Sequence, residues 1–224
     1  LPDKTPDGSD WPAISLITPS FNQGRYIEET IRSVLLQGYP NLEYHIIDGG
    51  STDETVEIIR KYEKWLSGWV SEKDAGQSDA INKGFMRCSG EVFNWLCSDD
   101  VMAPGALKTV GEQFSGASPC DVLSGACFCQ YDDEPEKNIV RAAGGIEWEA
   151  TPYAEGIWQP STFWRRSLIK RKDLVLRNLH FCMDRELWCY LIFSRGRWRW
   201  TDAVLSVFRF TTDNKSVTGR RKII

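Results

Sequence analysis

Short apolar segments alternate with amphipathic segments over the first 130 residues. Continuous apolar runs predict strands over residues 13–18, 43–47, 69–71, 92–97 and 121–130. Apolar residues between these runs recur at helical spacing, for example Ile27, Ile31 and Val34. Strands that alternate with helices are typical of right-handed βαβ units. We therefore expect an α/β fold with a Rossmann-like, mostly parallel sheet flanked by helices.

Several local signals predict where the helices begin and end. Gly38 and Pro40 follow the first helical pattern and predict its end. Ser51 and Glu54 have capping-box spacing, so Ser51 is expected to cap the second helix. Pro104 is expected in the first turn of a later helix. Beyond residue 131 the pattern is weaker, and it predicts helices over 164–170 and 185–193 and a strand over 203–210.

Length and charge limit the possible functions. The 224 residues suffice for one substantial domain, and no apolar run approaches the roughly 20 residues that span a bilayer. The net charge is −4, but residues 1–140 carry 11 Lys/Arg and 23 Asp/Glu, whereas residues 141–224 carry 16 and 8. This distribution disfavours a uniformly basic nucleic-acid-binding protein and indicates two surfaces with different roles.

Cysteines and histidines form no recognisable zinc motif. The seven cysteines include no CxxC pair, and the only histidines are His45 and His180. We expect the cysteines to be buried, reduced side chains, and His45, inside a predicted strand, to be structural. No signal peptide is recognisable after Leu1, so a cytoplasmic location is expected, with contact at the inner face of the membrane left open.

Polar clusters follow four of the predicted strands. They are Thr18-Pro19-Ser20 with Asn22, Asp48-Gly49-Gly50-Ser51, Glu72 with Asp74, and Asp99-Asp100. In open α/β sheets ligands bind outside the carboxyl ends of the strands, although turns also favour these residue types. The chain lacks GxGxxG and GxxxxGK[ST] motifs, which disfavours a Rossmann dehydrogenase and a P-loop NTPase. Adjacent carboxylates suit Mg²⁺ or Mn²⁺ shared with a diphosphate.

Longer motifs resemble those of a known family. The segments ISLITPSFNQGRYIEETIRSVLLQGYPNLEYHIIDGGSTDETVEII, SEKDAGQSDAINKGF, GEVFNWLCSDDVMAPGAL, WQPSTFWRR and FCMDRELWCYL resemble family 2 glycosyltransferases, which have the GT-A fold. The resemblance implies a divalent metal, Mn²⁺ or Mg²⁺, and inverting transfer from a nucleotide sugar, with UDP-sugars ahead of GDP- or dTDP-sugars. The expected acceptor is a glycan or a lipid-linked acceptor in polysaccharide, lipopolysaccharide or other glycoconjugate assembly.

The resemblance also assigns roles to individual residues. It implies that Asp184 is the catalytic base and that Asp99 and Asp100 bind the metal. It places Trp158, Gln159 and Pro160 in a loop near the acceptor and the leaving diphosphate. The residues it implies for donor binding are Thr18, Pro19, Ser20, Asn22, Asp48, Gly49, Ser51, Asp79, Asp99 and Asp100.

The chain departs from the family pattern at two positions. Cys97 replaces the first acid of the DxD motif, and Thr211 stands where a metal- or diphosphate-binding His often lies. Both changes predict weaker metal binding in the absence of donor. Asp184 also has an alternative interpretation as a helix N-cap. The basic run from Arg165 to Lys172 fits a solvated face or an anionic membrane surface.

The resemblance leads to a functional division of one domain. Residues 1–12 are expected to form an N-terminal lead-in segment, and residues 217–224 a basic C-terminal tail. Between them, residues 13–130 are expected to bind the donor, and residues 131–216 to bind the acceptor and supply the catalytic base. Two rival functions remain open, a sugar-1-phosphate nucleotidylyltransferase and a non-catalytic nucleotide-sugar-binding protein.

Overall fold

The computed structural model of the protein describes residues 1–116, 118–144, 156–179 and 181–211. The helices in these ranges are α1 (Ile27–Leu35), α2 (Thr55–Tyr62), α3 (Gln77–Arg87), α4 (Ala106–Phe114) and α5 (Met183–Phe193). The strands are β1 (Ile14–Ser20), β2 (Leu42–Asp48), β3 (Gly68–Ser71), β4 (Val92–Trp95), β5 (Val101–Met102), β6 (Val122–Tyr131), β7 (Ile139–Arg141), β8 (Thr162–Arg165) and β9 (Trp198–Phe210).

All these strands belong to one sheet, in the order β3-β2-β1-β4-β8-β6-β9-β5, with β7 paired to β6. The strands β3, β2, β1 and β4 are parallel, and β6 is parallel to β9. Antiparallel pairs occur where β8 lies between β4 and β6, and at β5 and β7. The α/β fold with a mostly parallel sheet, expected from the alternation of apolar runs and helical patterns, is confirmed.

Helices cover both faces of the sheet because its central strands are apolar on both sides. All seven residues of β1 are buried, with Leu16 packed in the same core cluster as residues of α1, α2 and α4. Ile17 belongs to the second cluster, which includes residues of α3 and α5. There Trp95 stacks at 6.4 Å on Trp188, and Trp164 meets both rings edge-on. Each such pair contributes about 0.5–1.5 kcal/mol beyond area burial, so the three rings hold α5 against the sheet.

The helix predicted over 164–170 is wrong. Residues Thr162–Arg165 form β8, and only Arg166–Leu168 form a short 3₁₀ turn. Phe163 and Trp164 are fully buried between β4 and β6, where strand pairing satisfies the backbone. A short segment with two adjacent apolar residues fits a buried strand as well as a helical turn, so long-range pairing decides its structure.

The predicted capping box at Ser51 is also wrong. Helix α2 begins at Thr55, and the Ser51 hydroxyl donates a hydrogen bond to the Asp48 carboxylate. The Thr55 N–H instead donates to Asp53 Oδ1 at 3.1 Å. Pro104 lies two residues before α4, which begins after Gly105 at a φ of +76°. Both helices therefore begin later than the local sequence pattern predicts, and Ser51 and Pro104 lie in the loops that precede them.

The cysteines are free thiols, as expected, but three of them are not fully buried. Cys88, Cys120, Cys127 and Cys129 lie in the interior and Cys97 is half-buried, whereas Cys182 and Cys189 are exposed. The tail predicted over 217–224 lies outside the described residues, as does His180. In the described part of the chain no helix combines the length and apolar character needed to cross a bilayer.

Candidate active site

The carboxyl ends of the parallel strands meet at one edge of the sheet. The register pairs Ser20 of β1 with Asp48 of β2, and Asp48 with Ser71 of β3. A cavity of about 660 Å³ opens at this edge, within the usual size range of small-molecule sites. Among the residues predicted for the site, those that line the cavity are Pro19, Ser20, Gly49, Asp99, Asp100, Gln159 and Asp184. The fold therefore brings together side chains that are up to about 160 positions apart in sequence.

Other predicted residues hold the loops around the cavity. The fully buried Asp48 carboxylate accepts hydrogen bonds from the N–H groups of Gly50 and Ser51 and from the hydroxyls of Ser51 and Ser71. The N–H of Asn22, a residue at a φ of +52°, donates a hydrogen bond to Ser51 Oγ at 2.7 Å and so ties the loop after β1 to the loop after β2. These bonds fix Gly49 at the cavity wall. Direct donor contact by Asp48, Asn22 and Ser51 stays a prediction.

Asp99 and Asp100 form a carboxyl pair at the cavity base. Asp100 is 1% exposed, and one of its oxygens accepts a bond from the Arg209 N–H at 3.1 Å. Burial raises the pKa of Asp99, and burial together with the Asp99 charge raises the pKa of Asp100 well above its usual range. Two carboxylates at low dielectric repel each other, and a bound cation would relieve that repulsion.

Cys97 stands beside this pair. Its sulfur and one carboxylate oxygen of each aspartate lie within 4.8 Å of one another. The Gln77 amide donates to the Cys97 sulfur at 3.3 Å. These residues fit a divalent metal, since the two carboxylates supply the oxygen ligands that Mg²⁺ and Mn²⁺ prefer. The thiol is a softer ligand than the carboxylate it replaces.

Asp184 lines the cavity from the first turn of α5. The helix begins at Met183 and its N-cap is Cys182, so Asp184 is not the N-cap that the sequence allowed. One Asp184 oxygen accepts a bond from the N–H of Arg185 at 2.9 Å. A carboxylate in the first turn lies near the positive end of the helix dipole. The position suits a group that accepts a proton from a ligand in the cavity.

The loop that precedes β8 contributes one wall of the cavity. The Gln159 amide donates to the Trp95 carbonyl at 2.7 Å and to Asn94 Oδ1 at 3.1 Å. Pro160 is buried behind it, and the Trp158 indole N–H donates to the Ala142 carbonyl at 3.4 Å. Of the three predicted loop residues, Gln159 alone lines the cavity.

Thr18, Asp79 and Thr211 are placed away from the cavity wall. Thr18 is buried and shares a hydrogen bond of 2.9 Å with the Tyr44 hydroxyl. Asp79 pairs with Arg177 and with Lys83. Burial opposes ionisation of Asp79, but the Ala75 N–H and these two cations together hold its pKa below the usual range. Thr211 is buried directly after β9.

Sequence reasoning missed several residues of the site. Gln23, Lys73 and Phe208 line the cavity, and Arg209 lies behind the carboxyl pair. Ser20 Oγ and Gln23 Oε1 are buried polar atoms with no hydrogen-bond partner among the described residues. Gln23 and Lys73 lie next to polar clusters that the sequence did single out. Phe208 and Arg209 carried no local signal, because their place depends on the pairing of β9 with β5 and β6.

The family comparison agrees with this arrangement. Residues 15–185 match the family described as Glycosyl transferase family 2, which is well over half of the chain. The chain belongs to this family. The resemblance predicted from the sequence motifs is thereby confirmed, and the matched range includes the carboxyl pair, the Gln159 loop and Asp184.

Curated relatives of this family 2 chain come from several bacteria. It is 32% identical over 145 residues to a putative teichuronic acid biosynthesis glycosyltransferase, TuaG, of Bacillus subtilis, a match that covers 63% of this chain and 58% of the relative. It is 36% identical over 116 residues to an uncharacterized glycosyltransferase of Mycobacterium tuberculosis, which covers 51% and 44%. The matches thus span only about half the length of these relatives.

Solved glycosyltransferase structures share the fold. A mannosyltransferase of Pyrobaculum calidifontis in complex with GDP-Man and Mn²⁺ has a TM-score of 0.71 at 18% identity, covering 98% of this chain and 63% of that one. A TarS fragment of Staphylococcus aureus in complex with UDP-GlcNAc has a TM-score of 0.70 at 19% identity, covering 90% and 60%. The GT-A fold expected for this chain is confirmed.

Proposed function

We propose that this domain transfers a sugar from a nucleotide-diphosphate sugar to an acceptor hydroxyl, with inversion at the anomeric carbon. The observation that carries the proposal is the shared cavity, which has the Asp99–Asp100 pair at its base and Asp184 on its wall. Inverting transfer needs a group that accepts the acceptor proton and stabilisation of the departing diphosphate, which a carboxylate base and a bound cation can supply.

The donor would lie along the carboxyl ends of β1, β2 and β4. Ser20 and Gln23 line this part of the cavity, and their buried side-chain oxygens have no hydrogen-bond partner among the described residues. Buried polar groups are normally hydrogen-bonded, so these two oxygens support a polar ligand or ordered water nearby. Lys73 supplies a positive charge at the same wall. We favour a UDP-sugar, since the structural neighbour TarS is described with UDP-GlcNAc, although the mannosyltransferase of Pyrobaculum calidifontis is described with GDP-Man.

Asp99 and Asp100 would hold a divalent ion. We favour Mn²⁺ over Mg²⁺ because the mannosyltransferase of Pyrobaculum calidifontis is described with Mn²⁺. Such an ion supplies charge stabilisation for a departing diphosphate. The Arg209 N–H keeps the Asp100 carboxylate oriented toward this position. Gln77 and Gln159 orient the Cys97 thiol beside it.

Asp184 would act as the general base. As the acceptor oxygen forms its bond to the anomeric carbon, its proton passes to an Asp184 carboxylate oxygen, and the bond between the anomeric carbon and the diphosphate oxygen breaks. The electron pair of that bond leaves with the nucleoside diphosphate. A positioned base contributes about 10²–10⁴ to the rate of such a step.

The half of the domain proposed to bind the acceptor, residues 131–216, carries less unpaired positive charge than its sequence indicates. Within the basic run, Arg165 pairs with Glu91 and Asp121, and Arg171 pairs with Glu186. Two of its cations are thus already neutralised by neighbouring carboxylates. A glycan acceptor, free or lipid-linked, is consistent with the proposal, and contact with an anionic membrane stays a prediction.

The variant Asp184→Asn tests the proposal. We expect release of nucleoside diphosphate from the bound donor, with water or an added glycan as acceptor, to fall about 100-fold or more. Donor affinity should remain near that of the wild type. The matched control is Glu186→Gln, two residues further along the first turn of α5 and outside the cavity wall, which should keep its turnover. Turnover near the wild-type value in folded Asp184→Asn would contradict the base assignment, and no turnover in the wild type would favour a binding protein.

A further inference from the structure

A second cluster of metal-ligating side chains lies at the other end of the parallel strands. Glu43 and His45 are two positions apart near the start of β2, so they face the same side of the sheet. Cys88 directly follows α3, which packs on that side. One ligand atom from each of the three residues lies within 4.8 Å of the other two. None of them lines the donor cavity.

We propose that Glu43, His45 and Cys88 bind one zinc ion. A carboxylate oxygen, an imidazole nitrogen and a thiolate are the ligand types that zinc takes in proteins, with water at the fourth position. Glu43 Oε1 and His45 Nε2 are 3.4 Å apart. Two such ligands of a tetrahedral zinc ion are separated by about the same distance, given Zn–N and Zn–O bonds of about 2.1 Å.

The surrounding hydrogen bonds orient the carboxylate for this role. Glu43 Oε2 accepts bonds from the Ser15 hydroxyl at 2.5 Å, the Ser89 N–H at 2.8 Å and the Gly90 N–H at 3.1 Å. These three donors fix one oxygen. The other, Oε1, lies 3.4 Å from both His45 Nε2 and the Ser89 hydroxyl. Hydrogen bonds to the outer atom of a ligand are a regular feature of protein metal sites.

The charges of the cluster also match a divalent ion. A Glu43 carboxylate and a Cys88 thiolate would together neutralise the two positive charges of zinc, which lowers the cost of holding the ion in a partly buried site. Binding breaks the Cys88 S–H bond, forms a sulfur–zinc bond and releases the proton to solvent. Burial raises the pKa of Cys88 to about 12, so the thiol is protonated before the ion binds.

The ion would add a second connection between β2 and the Ser89–Gly90 turn, which already donates hydrogen bonds to Glu43. It would tie β2 to the end of α3, just before the Ser89–Gly90 turn that leads into β4. Because binding occurs only in the folded state, zinc should raise the unfolding temperature. This site does not depend on the proposed transfer activity, and its failure would leave that proposal untouched.

Cadmium titration of the full chain tests the site, because a cadmium–thiolate bond has a charge-transfer absorption in the ultraviolet. The background variant is Cys97→Ser, which removes the thiol next to Asp99 and Asp100. We expect it to show a saturable band of one cadmium per chain that zinc displaces. Adding Cys88→Ser should abolish the band, and adding Ser15→Ala should weaken cadmium binding about 10- to 100-fold. The control Cys189→Ser, an exposed cysteine of α5, should change nothing.

The variant His45→Gln and circular dichroism complete the test of the zinc site. His45→Gln keeps the Cys88 thiol, so a fall in cadmium affinity in this variant supports the cluster even if Cys88→Ser unfolds. Circular dichroism of each variant checks that it remains folded. The proposal is overturned if the band is missing in Cys97→Ser, if it survives in folded Cys88→Ser, or if folded His45→Gln binds cadmium as tightly as the background.

Discussion

At the scale of single residues, Cys97 is the clearest departure of this chain from the acidic motif of its family. It lies with Asp99 and Asp100 in one potential ligand set. Cys97→Asp would give a hard cation a third oxygen ligand, so we expect Mn²⁺ to bind about tenfold more tightly. The added carboxyl should also lower the unfolding temperature of the metal-free protein, because it joins a pair that already repels.

Isothermal titration with Mn²⁺ and thermal unfolding in EDTA measure the two effects. Cys97→Ser is the matched control, since it changes the thiol without adding charge. Unchanged Mn²⁺ affinity in folded Cys97→Asp would show that position 97 does not contribute to the ion site.

Residue types at the strand ends could be predicted from the sequence, but their individual roles could not. Asp48, Asp79 and Asp99 all lie where turns or helices follow strands, and only Asp99 lines the cavity. Asp48 is occupied by four bonds from its own loop and from Ser71, and Asp79 by Arg177 and Lys83. The role of each carboxylate depends partly on residues that are distant in sequence, such as Ser71 for Asp48 and Arg177 for Asp79.

At the scale of elements, the contact between α3 and β1 depends on a missing side chain. A Cβ atom on Gly84 would lie 2.6 Å from Ile17 Cδ1 and 2.9 Å from Ile17 Cγ2. Gly84→Ala gains about 1 kcal/mol in helix propensity, but overpacking costs about 1–3 kcal/mol. We expect a lower free energy of unfolding in urea, with partial recovery in the double variant Gly84→Ala, Ile17→Val. Increased stability of Gly84→Ala would contradict this account of the packing.

The junction between β6 and β9 has a pH-dependent ion pair. The Asp121 carboxylate accepts bonds from the backbone N–H and the guanidinium of Arg197, which hold its pKa below the usual range. Stabilisation by a carboxylate of lowered pKa is present above the unfolded-state pKa of about 4 and is lost as the pH falls through the folded-state pKa.

Asp121→Asn should therefore lower the free energy of unfolding by about 1 kcal/mol at pH 7 and by less near pH 3. Chemical denaturation at the two pH values measures the difference. Asp202→Asn on the exposed part of β9 is the control and should have little effect at either pH. An equal loss for Asp121→Asn at both pH values would mean that its charge is not the cause.

The first half of the fold follows from local pattern, whereas the second half depends on long-range pairing. Strands β1 to β4 and helices α1 to α3 are each predicted by apolar runs or helical spacing, because each βαβ unit buries its own apolar face. The helix predicted over 164–170 overlaps the second half of β8, because the four residues of β8 become a strand only between β4 and β6. Strands β5 and β7, of two and three residues, are too short to carry a pattern.

At the scale of the whole molecule, the two ends of the parallel strands have different chemistry. The carboxyl ends form the cavity with the hard ligands Asp99 and Asp100, and the amino ends hold the softer cluster of Glu43, His45 and Cys88. The acidic excess of residues 1–140 partly reflects the carboxylates that the cavity and its loops use. Part of the basic excess of residues 141–224 is neutralised by internal ion pairs, such as those of Arg165 and Arg171.

We propose that the cavity binds a nucleoside diphosphate through a divalent ion held by Asp99 and Asp100. Isothermal titration of UDP, GDP and dTDP into the protein in Mn²⁺ tests it most directly, with Asp99→Asn and an EDTA sample in parallel. We predict saturable binding of one of the three nucleotides in Mn²⁺, weakened about tenfold or more by EDTA and by Asp99→Asn. Failure of all three nucleotides to bind, or equal affinity in folded Asp99→Asn, would contradict the account.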